Sequence, residues 1–176
     1  IFLLIYGIAQ LQNKVFDEWE KEYAPNLLIA LSDTFGSPFT FQNMTKEQAE
    51  RWSGLRQDSG DPIAFGQAAI AFYEKHDIDP KTKAIIFSDG LDVDTIIKLH
   101  RAFRSKIKTV FGWGTNLTND LGFRALSLVI KLTEVESTST VKLSDNLAKA
   151  TGAPEDIERY KRVFGHTSNF NEECKY

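Results

Sequence analysis

The stretch Ala84–Thr95 limits the fold of this chain more than any other. Ala84–Phe87 is a short unbroken apolar run with two isoleucines, the pattern of a strand buried on both faces, as in a parallel sheet. It halts at Ser88, Asp89 and Gly90. Asp92 then stands where an N-cap belongs, and Val93, Ile96, Ile97, His100 and Phe103 recur at helical spacing, which predicts an amphipathic helix ending near Arg104. Strand, polar loop and helix in that order make half of a βαβ unit. The loop at the strand's carboxyl end, facing free N–H groups of the helix start, is where such units hold anions. A cap and a glycine turn account for the same residues without a ligand.

The pattern recurs along the chain. Leu27–Leu31 predicts a buried strand that ends in Ser32, Asp33 and Thr34. The aromatic stretch Phe35–Phe41 reads as a loop, and Thr45 with Gln48 forms a capping box for a short helix ending near Gly54. Gly54–Arg56 is too short to be assigned as a strand. Residues Gln57–Pro62 are a loop, with Asp61 and Pro62 suited to N-cap and N1 of a helix burying Ile63, Gly66, Ile70 and Tyr73. Asp79 and Pro80 turn the chain into the central strand. Ile107–Phe111 is a further strand, followed by the glycine-containing loop Gly112–Asp120. Ala125–Val135 and Thr140–Leu143 predict a hairpin around the polar turn Glu136–Ser139. Pro154 opens a last helix with Ile157, Tyr160 and Phe164 inward and Gly165 as its stop, before a polar tail. At the other end, Leu4, Ile8, Leu11, Val15 and Trp19 mark a core helix. The apolar residues 1–9 lack the basic leader of a signal peptide and the length to cross a bilayer.

Composition narrows the partners. In 176 residues, 21 Lys and Arg face 24 Asp and Glu with the signs interspersed, so no basic stripe exists for a nucleic acid. Cys174 is the only cysteine, which excludes an internal disulfide and a multi-cysteine zinc site and fits the cytoplasm. The whole chain, 1–176, is expected to be one α/β domain without a membrane segment. His76, His100 and His166 stand beside no nucleophile motif, and Trp19, Trp52 and Phe72 are accounted for by packing. The two glycosylation-like triplets at Asn43 and Asn116 are chance matches.

Each expected parallel strand ends in a loop of one character: Asp33 and Thr34; Asp58, Ser59 and Gly60; Ser88, Asp89 and Gly90; Gly112, Gly114, Thr115 and Asn116. In a parallel sheet or barrel all strand carboxyl ends share a face, so these loops converge. Carboxylates from separate strands suit magnesium or sugar hydroxyls, Arg56 supplies a planar cation, and backbone N–H groups at Gly90 and Gly114 suit a phosphate. The expected ligand is a phosphorylated sugar or nucleotide.

With these loops in order, the chain resembles nicotinate phosphoribosyltransferase, through Ser32–Phe35, Gly54–Pro62, Phe87–Asp92 and Gly112–Asp120, and onward through Val141–Asp145, Lys149–Gly152 and the helix around Arg159 and Tyr160. The resemblance implies a partial TIM-like barrel of the type II phosphoribosyltransferase kind, with the hairpin and C-terminal helix appended. It implies formation of nicotinate mononucleotide and pyrophosphate from nicotinate and 5-phosphoribosyl pyrophosphate, with Mg2+ as cofactor and coupled ATP hydrolysis, in NAD biosynthesis. By resemblance Arg56 lies beside the pyridine ring and Asp58 holds the ribose hydroxyls. Ser59, Gly60, Ser88, Asp89, Gly90, Asp92, Gly112, Gly114, Thr115 and Asn116 make the ribose-phosphate site. Asp33 is catalytic and the metal residue, near magnesium and pyrophosphate.

The chain departs from the family pattern at three places. Phe2 registers with the histidine phosphorylated in ATP coupling, Trp113 replaces a small residue between two glycines, and Leu147-Ala148 replaces Pro-Gly. Family members are also much longer, with an upstream domain, so the resemblance implies a C-terminal part of such an enzyme, impaired in the coupled reaction, whose incomplete barrel is expected to self-associate or pair with an upstream segment. The alternatives are a non-catalytic interaction or structural module that keeps the fold, and a different phosphate-binding barrel enzyme.

Overall fold

A computed structural model describes residues 10–119, 121–123 and 128–173. Its centre is a four-stranded parallel sheet of β1 (Ile29–Leu31), β2 (Gly54–Gln57), β3 (Ala84–Phe87) and β4 (Lys108–Phe111), paired in that order. Ile29 faces Gly54, Gly54 faces Ala84 and Ala84 faces Lys108, so the strand starts are level and all four ends lie on one rim. Among the described residues the sheet is open, with β1 and β4 as its edges.

The helices are α1 (Leu11–Tyr23), α2 (Ser37–Asn43), α3 (Lys46–Arg51), α4 (Pro62–Lys75), α5 (Val93–Phe103) and α6 (Pro154–Phe164). Their starts follow the cap chemistry in the sequence. Thr45 and Gln48 form the expected capping box on α3, and Asp61 and Asp92 accept from the N–H groups of Ala64 and Thr95 at 2.7 Å. Gly165 ends α6 in the left-handed region. Leu55, Ile85, Leu99 and Phe87 are fully buried between sheet and helices, each removal from water stabilising by about 2 kcal/mol. Phe35, Leu143, Tyr160 and Phe164 form a second core, with Phe35 and Phe164 stacked at 3.9 Å. Lys83 is buried too. Its ammonium donates to the carbonyls of Glu50 and Trp52 at 2.7 and 2.8 Å, closing the end of α3, and burial lowers its pKa.

Several expectations are corrected. Gly54–Arg56, too short to assign from the sequence, forms with Gln57 an inner strand: any Cβ at Gly54 would lie 2.1 Å from the Ala84 carbonyl oxygen, so the glycine that hides the strand in the sequence is what lets β2 and β3 approach. Residues 37–43 form α2, with Pro38 in its first turn, where the missing N–H costs nothing. On α1 the inward residues are Gln12 and Phe16, while Val15 and Trp19 are exposed; Gln12 is accommodated by its bond to Thr40 Oγ1, and Leu4 and Ile8 lie outside the described residues. On α5 the inward stripe is Leu99 and Phe103 with Ile96 and Ala102 beside it, so Val93, Ile97 and His100 face out. The hairpin shrinks to β5 (Glu134–Val135) and β6 (Thr138–Ser139) around Glu136 and Ser137, both at positive φ, and Ala125 lies outside the described residues. Thr140–Leu143 contributes only a bridge from Lys142 to Thr151. No helix is long and apolar enough to cross a membrane among the described residues.

Candidate functional site

The rim of the sheet carries the expected loops, and alternation along β2 decides which side chains reach them. Leu55 and Gln57 are buried, so Arg56 emerges on the other side. Its Nε donates to Ser88 Oγ at 2.9 Å and its Nη2 to Asp58 Oδ1 at 2.8 Å, tying the ends of β2 and β3. Ser88 Oγ in turn donates to the Gln57 carbonyl at 2.9 Å.

Behind this surface sits Asp33, at the end of β1 and 1% exposed. Its Oδ2 accepts from Ser59 Oγ at 2.6 Å, lies 3.1 Å from Ser144 Oγ and pairs with Lys142 Nζ at 3.0 Å, while its Oδ1 is buried without a partner. Lys142 also approaches Asp58 Oδ2 at 3.6 Å. Lys149 donates to Asp89 Oδ1 at 2.6 Å and to the Asp58 carbonyl at 2.7 Å. Asp33, Asp58 and Asp89 are thus matched by Arg56, Lys142 and Lys149, which lets the carboxylates crowd one rim.

In front of these groups opens a cavity of about 560 Å3. Asp58, Ser88, Asp89 and Gly90 line one wall, Gly112, Gly114, Thr115 and Asn116 another, and Lys142 and Lys149 a third. Eight of the residues expected from sequence therefore meet around one space. Arg56 reaches it through Asp58 and Ser88. Asp33 and Ser59 stand behind, Gly60 lines a different cavity, and Asp92 is engaged as the cap of α5. Space is tight at Gly112, where a Cβ would meet Ser88 Cβ at 3.0 Å; Gly114 has no such neighbour. Trp113 lines the cavity and presses on the main core, with its indole N–H buried and unpartnered.

Lys142 and Lys149 were not among the expected site residues. Three carboxylates at one rim need more cations than Arg56 supplies, but no local pattern in the sequence says which lysines provide them. As a magnesium ligand, Asp33 does not fit this arrangement. Its Oδ2 is held by an ammonium and hydroxyls, its Oδ1 is buried, and no cluster of three metal-ligating side chains occurs among the described residues. Phe2 lies outside the described residues.

Residues 6–168 match the nicotinate phosphoribosyltransferase (NAPRTase) family. The chain is similar to the crystal structure of nicotinate phosphoribosyltransferase from Porphyromonas gingivalis, at 37% identity and a TM-score of 0.85, covering 92% of this chain and 43% of that one. It is also similar to that of Vibrio cholerae, at 35% identity and a TM-score of 0.84, covering 94% of this chain and 40% of that one. The chain therefore spans less than half the length of these relatives. With a parallel α/β sheet whose rim carries the expected loops in order, and a family match over almost its whole length, the chain belongs to the nicotinate phosphoribosyltransferase family.

Proposed function

We propose that this chain carries the ribose-phosphate part of a nicotinate phosphoribosyltransferase site, which joins nicotinate to 5-phosphoribosyl pyrophosphate. The carrying observation is the cavity where Asp58, Ser88, Asp89 and the Gly112–Asn116 loop converge with Lys142 and Lys149. The four parallel strands are then an arc of an incomplete barrel, and the edges of β1 and β4, which pair with no further strand among the described residues, support self-association or pairing with a further segment.

In this reading the bond from ribose C1 to pyrophosphate oxygen breaks, its electron pair leaves with pyrophosphate, and the pyridine nitrogen's lone pair makes the new bond at C1. The sugar passes through an oxocarbenium-like state, so the protein's work is positioning and charge stabilisation. Asp58 faces the ribose hydroxyls and the developing positive charge, Arg56 orients Asp58 and stands beside the pyridine ring, and Ser88 with the N–H groups of Gly90, Gly114 and Thr115 takes the 5′-phosphate. Lys142 and Lys149 exchange carboxylate partners for phosphate oxygens. No histidine lines the cavity among the described residues, so no phosphohistidine step of ATP coupling is assigned to them.

One observation favours a non-catalytic module that keeps the fold: Lys149 is already bonded to Asp89 and to the Asp58 carbonyl. A thermal melt with and without 5-phosphoribosyl pyrophosphate and magnesium separates the readings, because a ligand that binds only the folded state raises the midpoint. A saturable rise that is lost in Asp58→Ala supports the transferase site. A clean transition without a shift moves the non-catalytic module into first place.

A further inference from the structure

Consecutive residues divide between two cavities: Asp58 lines the first, Ser59 and Gly60 the second. The second holds about 440 Å3, well within the range of small-molecule sites. Phe35, Phe39, Phe41, Phe65, Phe164 and Phe170 give it a largely aromatic wall. Two carboxylates border it. Asp61 is committed to the N-terminus of α4. Asp145 is half-buried and accepts from the N–H of Ser37 at 2.8 Å and from Ser37 Oγ, and among the described residues no lysine or arginine pairs with it.

A partly desolvated carboxylate without a cation is unusual, because its lost hydration is not repaid by two neutral donors. Each of its oxygens retains a lone pair for a further donor. His166 also borders the cavity. Its Nε2 lies 2.7 Å from the Ser144 carbonyl and donates to it, and its Nδ1 is buried without a partner. A largely aromatic lining beside a carboxylate with no lysine or arginine partner suits one chemistry, an apolar body bearing a positive charge. An anion would be repelled by Asp145 and Asp61, and a neutral apolar molecule would bury Asp145 further without a partner.

We propose that this cavity is a second ligand site, for an organic cation with an aromatic body, whose charge pairs with Asp145 between the phenylalanines. The site stands apart from the phosphoribosyl cavity and does not depend on the function assigned to that one.

Benzamidine is the probe and benzoate its oppositely charged counterpart, each titrated into the whole chain and followed by saturation-transfer NMR. Benzamidine is expected to bind with a dissociation constant near or below about 1 mM, and benzoate about tenfold more weakly or worse. Asp145→Asn should weaken benzamidine about tenfold. Ala68→Phe, which fills the cavity from an exposed helix position, should abolish it while the melting response to 5-phosphoribosyl pyrophosphate stays as in the parent chain. Circular dichroism establishes that each variant is folded; if Asp145→Asn is not, Ala68→Phe decides. Equal binding of benzoate, benzamidine binding unaltered in folded Ala68→Phe, or no benzamidine binding at about 10 mM would each overturn the proposal.

Discussion

Lys142 and Asp33 form an ion pair of 3.0 Å that fastens the bridge after the hairpin to the end of the first strand, behind the cavity at the sheet rim. Removing the ammonium strands a carboxylate that is 1% exposed. Lys142→Met should therefore lower stability by about 2 kcal/mol in urea unfolding, a figure reduced from that of a fully buried pair because Lys142 is itself partly solvated. Adding Asp33→Asn should recover part of the loss. Additive effects of the two substitutions would show that the pair is not coupled.

Trp113 offers a buried indole N–H with no acceptor at the wall of the same cavity. Trp113→Phe removes an unsatisfied donor, so the free chain should melt at the same temperature or slightly higher. The melting shift given by 5-phosphoribosyl pyrophosphate should shrink, corresponding to an affinity lower by about three- to tenfold if a phosphate oxygen takes that donor. An undiminished shift would leave the indole a packing group.

Asp92 was expected in the site, and the structure gives it a cap. Asp92→Asn keeps an oxygen for the Thr95 N–H and should leave stability and ligand response unchanged, whereas Asp92→Ala should cost about 1 kcal/mol. Chemical denaturation of the pair with a ligand titration checks both halves. A lost ligand response in Asp92→Asn would return this residue to the site.

Two glycines mark the tightest approaches in the core. Gly54→Ala drives a methyl into backbone, 2.1 Å from the Ala84 oxygen, and should cost about 3 kcal/mol or more. Gly66→Ala meets the ring of Phe103 at 2.3 Å, where a side chain rather than a strand must yield, and should cost about 2 kcal/mol. Unfolding midpoints that reverse this order would contradict the packing described.

Burial pushes the Asp145 carboxyl above its ordinary value, against the two donations from Ser37. The folded state therefore binds a proton more tightly than the unfolded state, and the linked stability falls as pH rises through the window between the unfolded and folded values. Asp145→Asn removes that slope. Its stability relative to the parent chain should rise between acidic and neutral pH, as measured by urea midpoints across the range, and a flat difference would place Asp145 in ordinary solvent.

Much of the order of elements was legible because it rests on local chemistry: apolar runs for β1, β3 and β4, and oxygen caps at Thr45, Asp61 and Asp92. What escaped was set by distant neighbours. β2 contains a glycine and an arginine, and only the strands on both sides make it a strand. The inward faces of α1 and α5 depend on where Phe16 and Leu99 find the sheet, which periodicity narrows only to within one residue. In the site, the loop residues were visible from their composition and place after strands. Lys142 and Lys149 were not, because they come from an irregular segment whose approach to the rim has no local signature.

The hydroxyl and carboxylate cluster around Ser59 joins residues far apart along the chain: Ser59 to Ser144, Asp33 to Ser144, and Ser37 to Asp145. A ribosome delivers these partners in sequence. The four strands are complete once Phe111 has emerged, yet Asp33 at that stage has neither Ser144 nor Lys142 to hold it. Closing the sheet and completing its rim are therefore separate events in the life of a nascent chain, and the strands must persist with the Asp33 charge uncompensated until residues 142–144 arrive.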